Sequence, residues 1–126
     1  MVQVSHEVPE GRLLIEGYGG GHFEVSGTRY EGSILVLQGR VEAWPVAAAG
    51  EITAESLQPL LAAARELEVL LIGCGPKTLL LPPPLRQALR EHGLGVDAMA
   101  TAAACRTFNV LMMEGRAAAA ALIAVD

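Results

Sequence analysis

Apolar and polar positions change period along this chain, and the change divides it into two kinds of structure. Leu13 to Ile15 form a short apolar run that ends at Gly17, Tyr18, Gly19, Gly20 and Gly21, where the backbone must turn or approach something closely. His22 to Ser26 then alternate polar with apolar, Gly27 and Thr28 mark a turn, and Arg29 to Glu31 return, the pattern of a half-buried hairpin. Ser33 to Leu37 is a continuous β-favouring run. Gln38, Gly39 and Arg40 turn the chain, and Val41 to Trp44 pair back before Pro45 stops the strand. The first third therefore reads as antiparallel β.

After Ala47 the period becomes helical. Leu57, Leu60, Leu61, Ala64 and Leu67 fall on one helix face, with Thr53 or Ser56 available as N-cap. Pro59 favours Ser56, because a proline within the first turn costs no hydrogen bond. Val69 to Ile72 read as a strand buried on both faces, ending at Gly73. Pro82, Pro83 and Pro84 precede a second helix through Leu85, Ala88 and Leu89, closed by the basic His92 and by Gly93. Gly95 to Met99 is a short strand. Thr101 is expected to cap a third helix that buries Ala104, Cys105, Phe108, Leu111 and Met112 and stops at Gly115; Ala117 to Val125 supply a last strand. Helices and strands alternating from Leu57 onward predict an α/β fold: a central mixed sheet, parallel in its second half, flanked by helices, with an N-terminal antiparallel hairpin region. With 126 residues and no internal repeat or linker, residues 1–126 are expected to be one domain.

Composition narrows the function classes. Apolar residues make up 52% of the chain and the mean hydropathy is +0.38, so some of the apolar surface is expected to be covered by partners, a second copy among them. The run Ala117 to Val125 is far short of the roughly 20 residues of a membrane helix. Met1 to Glu10 have neither a basic start nor an apolar stretch, so no secretory signal is expected and the cytoplasm is the expected compartment. Net charge is −5, with Lys77 the single lysine and the arginines scattered, which argues against nucleic acid as a partner. Two cysteines and three histidines, dispersed along the chain, suggest no closed ligand set; neither metal nor cofactor is expected.

The candidate chemistry lies where parallel strands end, because ligands of open α/β sheets bind beyond the carboxyl ends of strands. Those ends are Gly73 to Lys77 and Ala100 to Ala104, and the candidate site, in a crevice around Gly73 to Lys77 and Thr101 to Asn109, is Gly73, Cys74, Gly75, Lys77, Thr101, Arg106 and Asn109. Gly73, Cys74 and Gly75 resemble the start of a dinucleotide fingerprint, but Thr78 stands at the third glycine position and Pro76 removes a donor. Cys74 would be activated as a thiolate beside Lys77, and Arg106 would clamp a carboxylate or phosphate. The alternative is structural: small buried thiols, Asn109 bonding a neighbouring backbone, and Arg106 ordering the Gly73 to Lys77 loop or pairing with Glu114 or Asp97. Trp44 and Tyr30 are candidates for a half-exposed interface as well as for core packing.

Three segments together resemble the Mth938-like family: Tyr18 to Phe23 with Gly27 and Tyr30 to Ser33; Ile72 to Gly75; and Thr101 with Ala104 to Asn109, followed by Glu114 to Arg116. The resemblance runs from about Leu13 to Ala124. It implies a three-layer α/β fold and no catalytic residues to carry over. The best-understood member assembles respiratory complex I, binding a sister factor and nascent subunits, so the resemblance implies a non-catalytic interaction or assembly factor with protein partners. Cys74 stands where the family has a threonine, which speaks against a shared nucleophile. The competing class is a small-molecule-binding protein or enzyme using the crevice.

Overall fold

The computed structural model describes residues 11–126; the reading of Met1 to Glu10 lies outside them. Three strands come first, β1 (Ile15–Gly19), β2 (His22–Val25) and β3 (Thr28–Glu31), forming a separate antiparallel sheet in the order β1-β2-β3. The glycine run is thus mostly strand. Only Gly20 and Gly21 turn, both at positive φ (60° and 80°), a conformation that costs glycine nothing and matches the twist of a tight hairpin.

A second sheet has five strands in the order β5-β4-β8-β6-β7, built from β4 (Ile34–Leu37), β5 (Arg40–Ala43), β6 (Val69–Gly73), β7 (Gly95–Met99) and β8 (Ala118–Leu122). β8 pairs with β4 antiparallel and with β6 parallel, and β6 pairs with β7 parallel, so the sheet is mixed as expected. Helix α2 (Pro83–Arg90) joins β6 to β7, and α3 (Thr101–Met113) carries the chain back past β6 to β8. Two right-handed crossovers that advance in opposite directions leave their helices on opposite faces of the sheet.

The sheet interior alternates cleanly. Leu35, Leu37, Leu70, Ile72, Ala119 and Ala121 face one core with Leu57, Leu60, Leu85 and Leu89. Ile34, Val36, Leu71, Ala118, Ala120 and Leu122 face the other with Phe108 and Met112 of α3 and with Ile15, Phe23 and Val25 of the small sheet. The result is three layers. Central β8 is alanine at four of five positions, and so small a strand lets both covering layers approach closely.

The predicted helix over Leu57 to Leu67 is the main departure. It breaks into a 3₁₀ turn at Glu55–Leu57, the single turn α1 (Gln58–Leu61) and a 3₁₀ turn at Ala64–Glu66. Its apolar face still lies in the core, with Leu57 and Leu60 fully buried. Burial is satisfied by the i, i+3 spacing that 3₁₀ and α turns share, so periodicity alone could not separate them. Neither Thr53 nor Ser56 is the cap, since Ala54 and Leu57 hold those places; instead the Thr53 hydroxyl accepts from Ser56 N–H at 3.0 Å, while Ser56 Oγ accepts from Thr53 N–H at 3.1 Å. Trp44 is buried and its indole N–H donates to Ser56 C=O at 3.0 Å, so it locks this segment and offers no interface; Tyr30 is half-buried.

Candidate functional site

The ends of β6, β7 and β8 do meet, and Thr101 fills the place where they meet. It is the first residue of α3, following Ala100 as cap, so the expected capping role fails. Its side chain looks across the molecule instead. The hydroxyl accepts from Gly75 N–H at 3.0 Å and donates to Ile123 C=O at 2.7 Å, while Thr101 N–H donates to Gly75 C=O at 2.8 Å. Cys74 N–H donates to Met99 C=O at 2.7 Å, and Ile123 N–H donates to Gly73 C=O at 3.0 Å. Thr101 is wholly buried. A Cβ on Gly73 would lie 3.0 Å from Leu122 Cδ2 and from Thr101 Cα and Oγ1, so only glycine fits beneath the knot. The crevice expected at the strand ends is therefore closed by protein.

Of the predicted site residues, Gly73, Cys74, Gly75 and Thr101 come together in this knot. Lys77 stands exposed on the loop beyond it. Cys74 is buried, its thiol within weak hydrogen-bond reach of the Ile72 and Leu79 carbonyls, and burial pushes its pKa up. Cys105 is buried under α3 and pushed up to about 12 by desolvation, opposed weakly by the Arg106 charge. Both thiols are held protonated, the reverse of an activated nucleophile.

Arg106 departs from the expectation. Its side chain is exposed on the outer face of α3 and has no hydrogen bond or ion pair among the described residues, neither to the Gly73 to Lys77 loop nor to Glu114 or Asp97. The ordering role assigned to it belongs to Thr101, whose short side chain reaches the loop from the helix start without leaving water-exposed charge to be desolvated. Asn109 lies eight residues along α3, about 12 Å from Thr101. Its amide accepts from Ile15 N–H at 2.8 Å and donates to Ile15 C=O at 2.7 Å, standing in for a strand at the start of β1. It fastens the small sheet to α3 and takes no part in the crevice. His22 stands on β2, and His92 closes α2 with Nδ1 3.0 Å from Ala88 C=O; neither approaches the knot. Among the described residues no three His, Cys, Asp or Glu side chains gather into a metal-binding set.

A groove of about 530 Å³ opens elsewhere, between α2, the segment Thr78 to Leu81 and the α2-facing side of β7. Leu79 and Leu80 are exposed at its lip, Leu80 by 81%. The sequence signal for it was an apolar run assigned to no element, three leucines ahead of three prolines.

Residues 15–123 match the family model described as a protein of unknown function, DUF498/DUF598. The chain belongs to this family. A mouse relative named NADH dehydrogenase [ubiquinone] 1 alpha subcomplex assembly factor 3 is 36% identical over 120 residues, which cover 95% of this chain and 64% of the mouse protein. The chain spans about three fifths of the length of the curated mammalian relatives it matches. The solution structure of a Bordetella pertussis protein described as an Mth938-like domain has a TM-score of 0.82 at 32% identity, covering 98% of this chain and 92% of that one. A crystal structure from Bartonella henselae, described as an outer membrane protein, has a TM-score of 0.86 at 39% identity and covers 95% and 100%. The Mth938-like fold expected from the sequence is thereby shown. No helix among the described residues is long and apolar enough to cross a membrane.

Proposed function

We propose that this protein is a non-catalytic interaction factor, acting in the assembly of a respiratory NADH dehydrogenase by holding protein partners. The observation that carries the reading is the outward face of α3. Thirteen residues long, this helix has Arg106 as its sole charged side chain, buries Ala104, Cys105, Phe108 and Met112 inward, and presents Ala103, Val110 and Met113 outward, with Val110 48% and Met113 37% exposed. An outward face on which Arg106 is the one charge among exposed apolar side chains is what a partly covered helix looks like. The relatives named as assembly factors supply the process. The knot at Thr101 speaks against the alternative, a small-molecule site or enzyme in the crevice, since the space such a ligand would need is occupied by a hydroxyl with both its hydrogen bonds made.

Deleting the gene in its source organism and resolving the respiratory complexes on native gels tests the reading. Assembled NADH dehydrogenase is expected to fall, and to be restored by the wild-type chain but not by Val110→Asp with Met113→Asp. An undiminished complex after deletion would overturn it.

A further inference from the structure

The five-stranded sheet has two edges, and they are treated differently. β5 carries Arg40 and Glu42, paired with each other at 2.8 Å, the charged guard that keeps an edge from pairing. β7 has no such guard. Its single charge, Asp97, lies between Val96 and Ala98, which pack toward the α2 side of the sheet, so Asp97 points to the opposite face. Met99 turns its C=O to Cys74 N–H, on the β6 side. Strand alternation then directs the backbone groups of Val96 and Ala98 outward, where no partner meets them among the described residues. Beside these groups runs the groove, with Leu89 and Leu94 in its wall and Arg86 and Arg90 of α2 at its rim. Both arginines are exposed, and neither is in an ion pair among the described residues.

We propose that the free edge of β7 and this groove form a docking site for an extended segment of a partner protein, apolar at alternate residues and acidic at one end. The segment adds as a further strand along about 17 Å of β7, its backbone completing the bonds of Val96 and Ala98. Its apolar side chains enter the groove and its carboxylates meet Arg86 and Arg90. A second copy of this chain fits poorly. Antiparallel self-pairing over the whole strand, Gly95 opposite Met99, brings Asp97 onto Asp97, and a two-fold axis normal to the sheet brings the arginines of both α2 helices toward one another. The site rests on the interaction role proposed above and names the chemistry of one partner segment.

The test uses a labelled synthetic peptide long enough to span β7, alternating valine with threonine and ending in a pair of glutamates, and a matched peptide ending in lysines. By fluorescence anisotropy the acidic peptide should bind about tenfold more tightly than the basic one, the gain from two partly exposed charge pairs. Arg86→Glu with Arg90→Glu, both on the surface, should reverse that preference. Ala98→Pro should abolish binding of both peptides, because it removes an outward N–H and no bond of the β6 ladder. Equal affinity of the two peptides, or binding indifferent to the arginine reversal, would overturn the proposal, as would concentration-dependent dimers that Ala98→Pro dissolves. In cells, assembly lost on gene deletion but intact with the arginine reversal would overturn the docking site and leave the assembly role standing. Assembly intact after deletion would overturn the role, and the peptide measurements would still decide the groove.

Discussion

Replacing Thr101 by valine keeps the volume and branching of the side chain and removes only its hydroxyl. In the folded protein that hydroxyl has no access to water, accepts from Gly75 N–H and donates to Ile123 C=O. Valine leaves both backbone groups buried without a partner. Each such group costs about 1 to 3 kcal/mol, so the loss should be about 2 to 5 kcal/mol, a large share of the 5 to 15 kcal/mol that holds a domain together. Urea unfolding followed by circular dichroism reads it directly. With a slope of about 1 to 3 kcal/mol per molar urea, the midpoint should fall by about 1 to 3 M at unchanged slope. Thr101→Ser is the necessary partner measurement, because it keeps the hydroxyl and gives up a methyl group, costing about 1 kcal/mol. Amide exchange at Gly75 should quicken in the valine variant and not in the serine variant. A valine variant as stable as the serine variant would show that the knot does not tie the strand ends, and the crevice would again be a candidate ligand site.

Phe108→Ala should cost about 3 to 5 kcal/mol in the same titration, since the ring is 1% exposed in the core that Leu71 shares; an unchanged midpoint would mean α3 is set in the wrong phase. Asn109→Ala should loosen the small sheet while sparing the large one, seen as faster exchange at Ile15 with Leu71 still protected, and equal loosening of both sheets would refute its role as a local fastener. Neither thiol should react with a disulfide reagent at pH 8 until the protein unfolds, and prompt labelling of Cys74 would reinstate it as a nucleophile. Because Cys105 is raised from 9.0 to about 12, the unfolded chain loses that proton first. Its contribution to stability should be complete below pH 9 and disappear as pH rises toward 12, by at most about 1.4 kcal/mol per pH unit. A Cys105→Ala variant should lose that alkaline slope, and keeping it would point to another group.

Strand and helix positions were legible in this sequence wherever burial imposes one period. Val69 to Gly73, Gly95 to Met99 and the face of α3 through Phe108 could be placed because a side chain on the wrong side of a sheet or helix would meet water. The residue pattern beyond Tyr18 was enough to name the family, whose resemblance implied the three layers, and the alternation of helices and strands from Leu57 onward argued a mixed sheet flanked by helices. Three things were decided only in the folded molecule. One is the shape of the segment from Thr53 to Leu67, where the apolar spacing fits α and 3₁₀ turns alike and the Thr53–Ser56 bonds and buried Trp44 choose between them. Another is the role of each polar side chain in the candidate site. Thr101, Arg106 and Asn109 are equally polar as letters, yet one ends up at the junction of three strands, one in water and one against Ile15. A hydrogen bond between residues far apart in sequence has no local signature, because its partner is set by the packing of whole layers. The third is the free edge of β7: sequence period marks a strand and its faces, but which strand lies outermost, with backbone groups still open to a partner, depends on the order in which the folded sheet sets its strands side by side.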